Sequence, residues 1–507
     1  MSLAPIYSTA DVRAIEKAAQ DGLSGKSLME RAGLAAAEHA IAVLDARSRG
    51  ILIVAGPGNN GGDGFEVAAH LKRRFFRVDV LFAGDRSRLS GDAIAALEKW
   101  HSAGGEELGE FPSDASKRYG LIVDGLFGIG LARPLEGRYA ALIKSINGTG
   151  LPVLALDVPS GINADTGAVM GTSIRAAHTI TFIALKPGLL TLDGPDCCGR
   201  IKLDTLALEV ESMREPLGRL LSQSVIANAL APRPRNFHKG NAGNVAVLGG
   251  ARGMVGAALL AGRAALRCGA GRVYLGLLDA QSLSVDPEQP ELMLRAAEDA
   301  PLDEAVIAVG PGMGRSHEAQ ILLERALGME APVVLDADAL NLVAADAKVA
   351  ARVKERTAVT LMTPHPAEAG RLLGKATSEV QRDRVAAARA LAERYRALIA
   401  LKGNGTIVAE PQGRWWINPT GHPGMASAGM GDALTGIVAS LLAQGAEPLH
   451  ALNAGVWLHG AAGDAAAEKH QGLVGTTASE LIEQARVVLN SHLAQFGASH
   501  TSGDASK

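Results

Sequence analysis

Short apolar runs rich in β-branched residues recur along almost all of the 507 residues, and most of them stop in a loop rich in Gly or Asp. In the first half they are ILIVA (51–55), VDVLFA (78–83), LIVDG (121–125), VLALDV (153–158) and ITFIAL (180–185). Helix-patterned stretches such as DAIAALEKWHSAGG fall between most of them. That alternation predicts an α/β chain built on a mostly parallel sheet with helices on both faces. Over 211–240 the pattern lapses into a segment with several Pro and basic residues and no clear strand. It restarts at NVAVLGG (244–250) and continues through GRVYLGLL, AVIAVG, PVVLDAD, AVTLMT, LIALKG and TIVAE. A chain of this length exceeds one ordinary core, so two domains are expected, 1–220 and 221–492. The small polar residues at the end make 493–507 an expected flexible tail.

The formal net charge of −3 favours neither nucleic acid nor an acidic membrane as a partner. Cys197, Cys198 and Cys268 form neither a disulfide framework nor a C-x-x-C pair, which fits a reducing compartment. The N-terminus lacks a basic stretch followed by an apolar one, so no signal peptide is expected. The most apolar helical stretch, MVGAALLAGRAALRCGAG, carries Arg263 and Arg267 and is too short to span a bilayer. The cytoplasm is the expected location.

Ligands of open parallel sheets collect at the carboxyl ends of the strands. Polar residues cluster at such ends here: Asn59, Asn60 and Asp63 in GPGNNGGDGF, Asp124 in IVDGLFGIGL, and Asp157 with Ser160 in LDVPSGINADTG. The first of these loops lacks the Lys-Ser/Thr end of a phosphate-binding P-loop and is not a clean G-x-G-x-x-G. Oxygens from Asn60, Asp124 and Ser160 would suit a hard cation. Taken singly, Asp124 reads equally well as an Asx turn and Asp157 as a cap.

Together, GPGNNGGDGFEVAAHL, VDGLFGIGLARPLEG and LDVPSGINADTG resemble the epimerase domain of NAD(P)H-hydrate repair enzymes over roughly 1–215. The resemblance implies a Rossmann-like, three-layer α/β/α domain that binds K+ and hydrated NAD(P)H. It makes Asn60, Asp124 and Ser160 potassium ligands. It makes Asn59, Asn60, Gly61, Gly62 and Asp63 substrate contacts, together with Gly128, Ile129, Gly130, Leu131, Ala132, Arg133, Pro134 and Asp157. Inverting C6 of the hydrated ring requires its C–O bond to break with help from the ring nitrogen, and water to return on the other face. A carboxylate that takes and returns the proton suffices, with Asp124 or Asp157 as candidates.

In the second half, GMGD runs directly into the apolar-periodic ALTGIVASLL, which places residues 429–432 at a helix N-terminus. Small residues there leave amides open to an anion, and Asp432 could take a proton from a hydroxyl attacking a phosphate. An Asp in a first helical turn is otherwise a cap or dipole partner. LKGNGTIVAE supplies a second glycine-rich turn with Lys402 and Thr406 as donors, and TPHPAE presents His365 between two prolines at a strand end. FHKGNAGNVAVLGG, GPGMGR, LDADALN, TPHPAE, LKG-x-x-T and GMGDALTG together resemble the ADP- or ATP-dependent NAD(P)H-hydrate dehydratases, a ribokinase-like α/β branch, over about 225–490.

By that resemblance Lys402, Gly403, Asn404, Gly405, Thr406 and Gly431 bind the adenine nucleotide. Ala257, Gly314, His365 and Asp432 contact the hydrated dinucleotide, with Ala258 fitting almost as well as Ala257. Asp432 becomes the base for phosphorylation of the C6 hydroxyl. ADP is the expected co-substrate, Mg2+ the expected ion and a homo-oligomer the expected assembly. The implied function is a bifunctional repair enzyme. Two other readings fit the residues: a ribokinase-like small-molecule kinase with an accessory domain, or an N-terminal half that binds a ligand without catalysis.

Overall fold

A computed structural model describes residues 3–20, 26–45, 50–89 and 91–501. The chain divides into two compact units, Pro5–Leu217 on one side and Met1–Ala4 with Gly218–Lys507 on the other. Leu3 and Ala4 therefore belong with the C-terminal unit, where Arg219 Nη1 donates to Leu3 O (2.8 Å) and Leu220 N to Ala4 O (2.8 Å). None of the helices among the described residues is long and apolar enough to cross a membrane.

The N-terminal unit holds a seven-stranded sheet, Ile51–Ala55, Val78–Phe82, Glu107–Leu108, Leu121–Gly125, Val153–Leu156, His178–Phe182 and Arg200–Asp204. Counted in chain order, these lie 3-2-1-4-5-6-7 from one edge, and every pairing is parallel. That is the doubly wound order, and it reverses between Ile51–Ala55 and Leu121–Gly125. Both faces are covered. Ile51, Ile53 and Ala55 pack with helices Leu28–Val43 and Asn59–Arg73, whereas Leu52 and Val54 pack on the other face with Ile143 and Ile146 of helix Gly137–Gly148. Burial on both sides explains why the strand is apolar at every position.

In the C-terminal unit the strands from Gly218 onward, again in chain order, lie 1-10-9-8-7-6-5-2-3-4. Those that carry the loops of interest, Asn244–Gly249, Val306–Val309, Val333–Leu335, Thr360–Met362 and Leu398–Leu401, pair in parallel, and Ile407–Ala409 is antiparallel to both its neighbours. Helices Val255–Arg267, Met430–Ala443 and Pro448–His470 pack on one face with Val245, Val247, Val273 and Leu275.

The expected α/β class holds for both units. Three details differ from expectation. Asn59, Asn60, Gly61, Gly62 and Asp63 form the start of helix Asn59–Arg73 rather than a loop. The glycines permit it, because a methyl group on Gly61 would lie 1.9 Å from Gly56 O. The segment 211–240 does contain a short strand, Gly218–Leu220, paired in parallel with Trp415–Ile417. Finally, helix Ala478–Thr501 runs through the start of the expected tail, and 502–507 lie outside the described residues.

Candidate active sites

In the N-terminal unit a cavity of about 450 Å³ opens at the point where the strand order reverses. Of the predicted contacts, Asn59, Asn60, Asp63, Gly128, Ile129, Gly130, Leu131 and Asp157 line it. Gly61 and Gly62 are buried in the helix behind the wall, and Ala132, Arg133 and Pro134 stand in solvent.

Asp124 and Asp157, equivalent candidates in the sequence, occupy different places. Asp124 is fully buried and does not line the cavity. Its Oδ1 accepts from Ser160 Oγ (2.7 Å) and Leu126 N (3.2 Å), and its Oδ2 from Ser160 N (2.8 Å). Burial raises its pKa to about 6, against the pull of those hydrogen bonds. The Asn60 side chain is also buried, and neither its Oδ1 nor its Nδ2 has a hydrogen-bond partner. An unpaired buried amide is costly unless a ligand completes it.

Asp157 sits on the cavity wall in a left-handed backbone conformation (φ 65°). Lys186 Nζ donates to its Oδ1 at 2.5 Å, and also to Thr181 Oγ1 (2.9 Å) and Phe182 O (2.7 Å). Asp157 Oδ2 is turned toward Gly128, where an added methyl group would lie 3.1 Å from it and 3.3 Å from Asn60 Oδ1. Glu16, Arg13 and Asp92 also line the cavity, and none of the four, Lys186 included, was singled out from sequence. Lys186 offered one signal, a lone cation in the apolar run FIALKPG directly after a strand. Burial, then the charges of Asp157, Glu16 and Glu66, holds the Asp63 carboxyl well above the usual range.

In the C-terminal unit the loops after five parallel strands converge on one charged network. Helix Met430–Ala443 begins after Gly429, whose φ of 89° suits glycine, and carries Asp432 in its first turn. Beneath it, Lys402 Nζ donates to Asp336 Oδ1 (2.6 Å), and Thr435 Oγ1 donates to Asp336 Oδ2 (2.9 Å). A methyl group on Gly431 would lie 3.3 Å from Lys402 Nζ, so glycine keeps the helix close to the ion pair. Burial works to lower the Lys402 pKa, but Asp336 and Glu368 override it and raise it. Asp432 is pushed up to about 7 by burial and then by Asp336, with Asp338 and Glu368 adding to the effect.

Of the remaining predicted residues, Gly314 and His365 attach to the same network. Gly314 N donates to Asp338 Oδ2 (2.9 Å). His365 caps helix Pro366–Leu373, its Nδ1 accepting from Ala367 N (3.1 Å) and Glu368 N (3.4 Å), with its Nε2 3.3 Å from Glu368 Oε1. His365 thus serves as a cap and still presents a half-exposed ring edge. Ala258 is fully buried, whereas Ala257 is not and stands beside Gly312 in the strand-end loop. The turn of Gly403, Asn404, Gly405 and Thr406 is tied by Thr406 Oγ1 to Gly403 O (3.1 Å), and fully buried Arg384 donates to Leu401 O (3.2 Å) and Lys402 O (3.3 Å). The motifs LDADALN and TPHPAE carry Asp336, Asp338 and Glu368, which no sequence pattern marks as part of this network, nor does any mark Arg384 or Thr435. Asp336 was the legible one, an acid at a strand end like Asp124.

A family model described as NAD(P)H-hydrate dehydratase matches residues 245–486, and one described as YjeF-related protein N-terminus matches 25–188. The bifunctional NAD(P)H-hydrate repair enzyme of Coxiella burnetii is 40% identical over 96% of this chain and 99% of its own. That of Escherichia coli is 37% identical over 96% of this chain and 94% of its own. Among solved structures, ADP/ATP-dependent NAD(P)H-hydrate dehydratase from Bacillus subtilis, co-crystallised with ATP/Mg2+, is 32% identical with a TM-score of 0.48 and covers 54% of this chain and 97% of that one.

Proposed function

The chain belongs to the bifunctional NAD(P)H-hydrate repair enzymes, and from that premise we propose which residues carry its two reactions. The N-terminal unit is the NAD(P)H-hydrate epimerase and the C-terminal unit the NAD(P)H-hydrate dehydratase. The observation that carries the assignment is the separation of Asp124 from Asp157: only Asp157 reaches the cavity, with one oxygen pinned by Lys186 and the other turned inward.

Asp157 therefore exchanges the proton of the C6 hydroxyl, and Lys186 positions it. Asn60, Asp124 and Ser160 hold K+. Their oxygens are hard donors, and the unpartnered Asn60 Oδ1 supports the assignment. Held by these residues, K+ would neutralise the buried Asp124 carboxylate and complete the unpartnered Asn60 amide oxygen at the start of helix Asn59–Arg73. Replacing K+ by Na+ should lower the epimerisation rate and leave dehydration of the S epimer unchanged.

In the C-terminal unit Asp432 takes the proton of the C6 hydroxyl as that oxygen attacks the β-phosphorus of ADP, releasing AMP. The amides opening helix Met430–Ala443 face the transferring group. The ring nitrogen then expels phosphate, and loss of a C5 proton restores NAD(P)H. Lys402 and the turn of Gly403, Asn404, Gly405 and Thr406 hold the nucleotide. Gly314, His365 and Ala257 contact the dinucleotide. Mg2+ would accompany the nucleotide and neutralise the charge of its phosphate oxygens, leaving Asp432 free to act as the base.

The test is incubation with mixed-epimer NADH hydrate and either ADP or ATP while NADH absorbance is followed. Complete conversion faster than spontaneous epimerisation supports both assignments, and no conversion with either nucleotide overturns them. A cytoplasmic homo-oligomer is part of the proposal, and light scattering on the purified chain tests the assembly.

A further inference from the structure

We propose that Glu16 is the second acid–base group of the epimerase pocket, serving the ring face opposite the one served by Asp157. The inference rests on the epimerase reading above and deepens it. Glu16 precedes residues 25–188, the span matched by the N-terminal family model.

The chemistry asks for two proton carriers. Epimerisation passes through a planar cation formed when the ring nitrogen lone pair expels the C6 oxygen. That oxygen needs a proton on the face it leaves, and the water that replaces it must lose one on the other face. Asp157 is held in place through Oδ1 by Lys186, so only Oδ2 remains to reach the ring, and from one side.

Three more carboxyls line the cavity: Glu16, Asp63 and Asp92. Asp92 is solvent-exposed at the rim. Asp63 lies one helical turn after Asn60, whose amide stands beside the same Gly128 that Asp157 Oδ2 approaches, so it belongs to the wall built by that helix. Glu16 alone comes from a separate wall. Helix Thr9–Gln20 buries Val12, Ile15 and Ala19 in the core and presents Arg13, Glu16 and Gln20 to the cavity. Burial and then the Asp157 charge raise the Glu16 pKa, which suits a group that starts as the acid while its ion-paired partner starts as the base.

The step balances. Glu16 gives its proton to the departing oxygen, which leaves as water while the C6–O bond breaks and the C=N bond forms. A second water adds from the other face, its oxygen bonding to C6, the C=N electrons returning to nitrogen and its proton passing to Asp157. Run in the opposite direction, the two carboxyls exchange roles.

Isotope exchange in H2¹⁸O separates this scheme from a one-carboxyl scheme. Epimers resolved by chiral chromatography are followed for inversion and for ¹⁸O entering with retained configuration, with spontaneous rates subtracted. In E16Q, inversion should fall by about 10²-fold or more. Exchange with retention should persist in the one epimer whose hydroxyl faces Asp157. D157N should show the mirror result, with exchange confined to the other epimer. E16D, which keeps a proton carrier on a shorter stem, should recover part of the inversion. The proposal is overturned if E16Q inverts at the full rate, loses exchange and inversion together while its melting temperature is unchanged, or if D63N rather than E16Q separates them. If the unaltered protein neither inverts nor exchanges, the epimerase reading itself fails. Dehydration of the S epimer with ADP checks each variant's integrity independently.

Discussion

Each unit sets a proposed acid–base aspartate near a lysine, but the lysine is placed differently. In the N-terminal unit Lys186 pairs directly with Asp157, the proposed proton carrier, at 2.5 Å. In the C-terminal unit Lys402 is tied to Asp336 at 2.6 Å, and Asp432 is left among Asp336, Asp338 and Glu368. One arrangement holds a carboxylate in place; the other pushes a carboxyl up to about 7, near the pH at which a general base is most useful. Asp157 follows a strand and Asp432 opens a helix, so under the proposed roles the placement of one cation distinguishes the group that exchanges the hydroxyl proton in epimerisation from the base for phosphoryl transfer.

The strongest way to break this comparison is to exchange the losses. D432N should lower dehydration of the pure S epimer by about 10²–10⁴-fold and leave epimerisation intact, while D157N should do the reverse. If either variant impairs both activities, the two centres are not independent. Next in size, D336A removes the buried carboxylate that pairs with the partly buried Lys402, leaving only Glu368 at 4.0 Å, and should destabilise the C-terminal unit by about 3 kcal/mol, visible in calorimetry. T435V removes one hydrogen bond to the same carboxylate and should cost about 1.5–3 kcal/mol. The smallest effect sharpens the electrostatic side. The dehydration rate should rise through about pH 7 as Asp432 loses its proton. Because the Asp338 charge raises the Asp432 pKa, D338N should move that rising limb to lower pH. An unmoved limb would mean that Asp432 is not the group being titrated.

The strands of both units were legible because burial on both faces leaves an apolar run that local pattern detects, as in Ile51–Ala55 and Leu121–Gly125. Arg200–Asp204 and Met293–Ala296 were not, since edge strands with half-exposed faces carry charged residues and look like loops. Most of the candidate polar residues were also visible, since loops at strand ends advertise them. GPGNNGGDGF read as a loop because glycines usually break helices. Here they allow the first turn of Asn59–Arg73 to press against the end of a strand, a contact no local pattern encodes.

What the sequence determined by itself was therefore local and periodic: the alternation of strand and helix, the strand-end polar clusters and the motifs that point to NAD(P)H-hydrate repair. Tertiary structure alone decided which aspartate meets the cavity, because Asp124 and Asp157 are both strand-end acids and differ only in what packs over them. It alone brought Lys186, 29 residues along the chain, onto Asp157, and Lys402, 66 residues along, onto Asp336. It also placed Glu16 in the pocket from a helix with no motif of its own. Charge–charge coupling depends on distance in space and on exclusion of water, and neither is written in the spacing of residues along a chain.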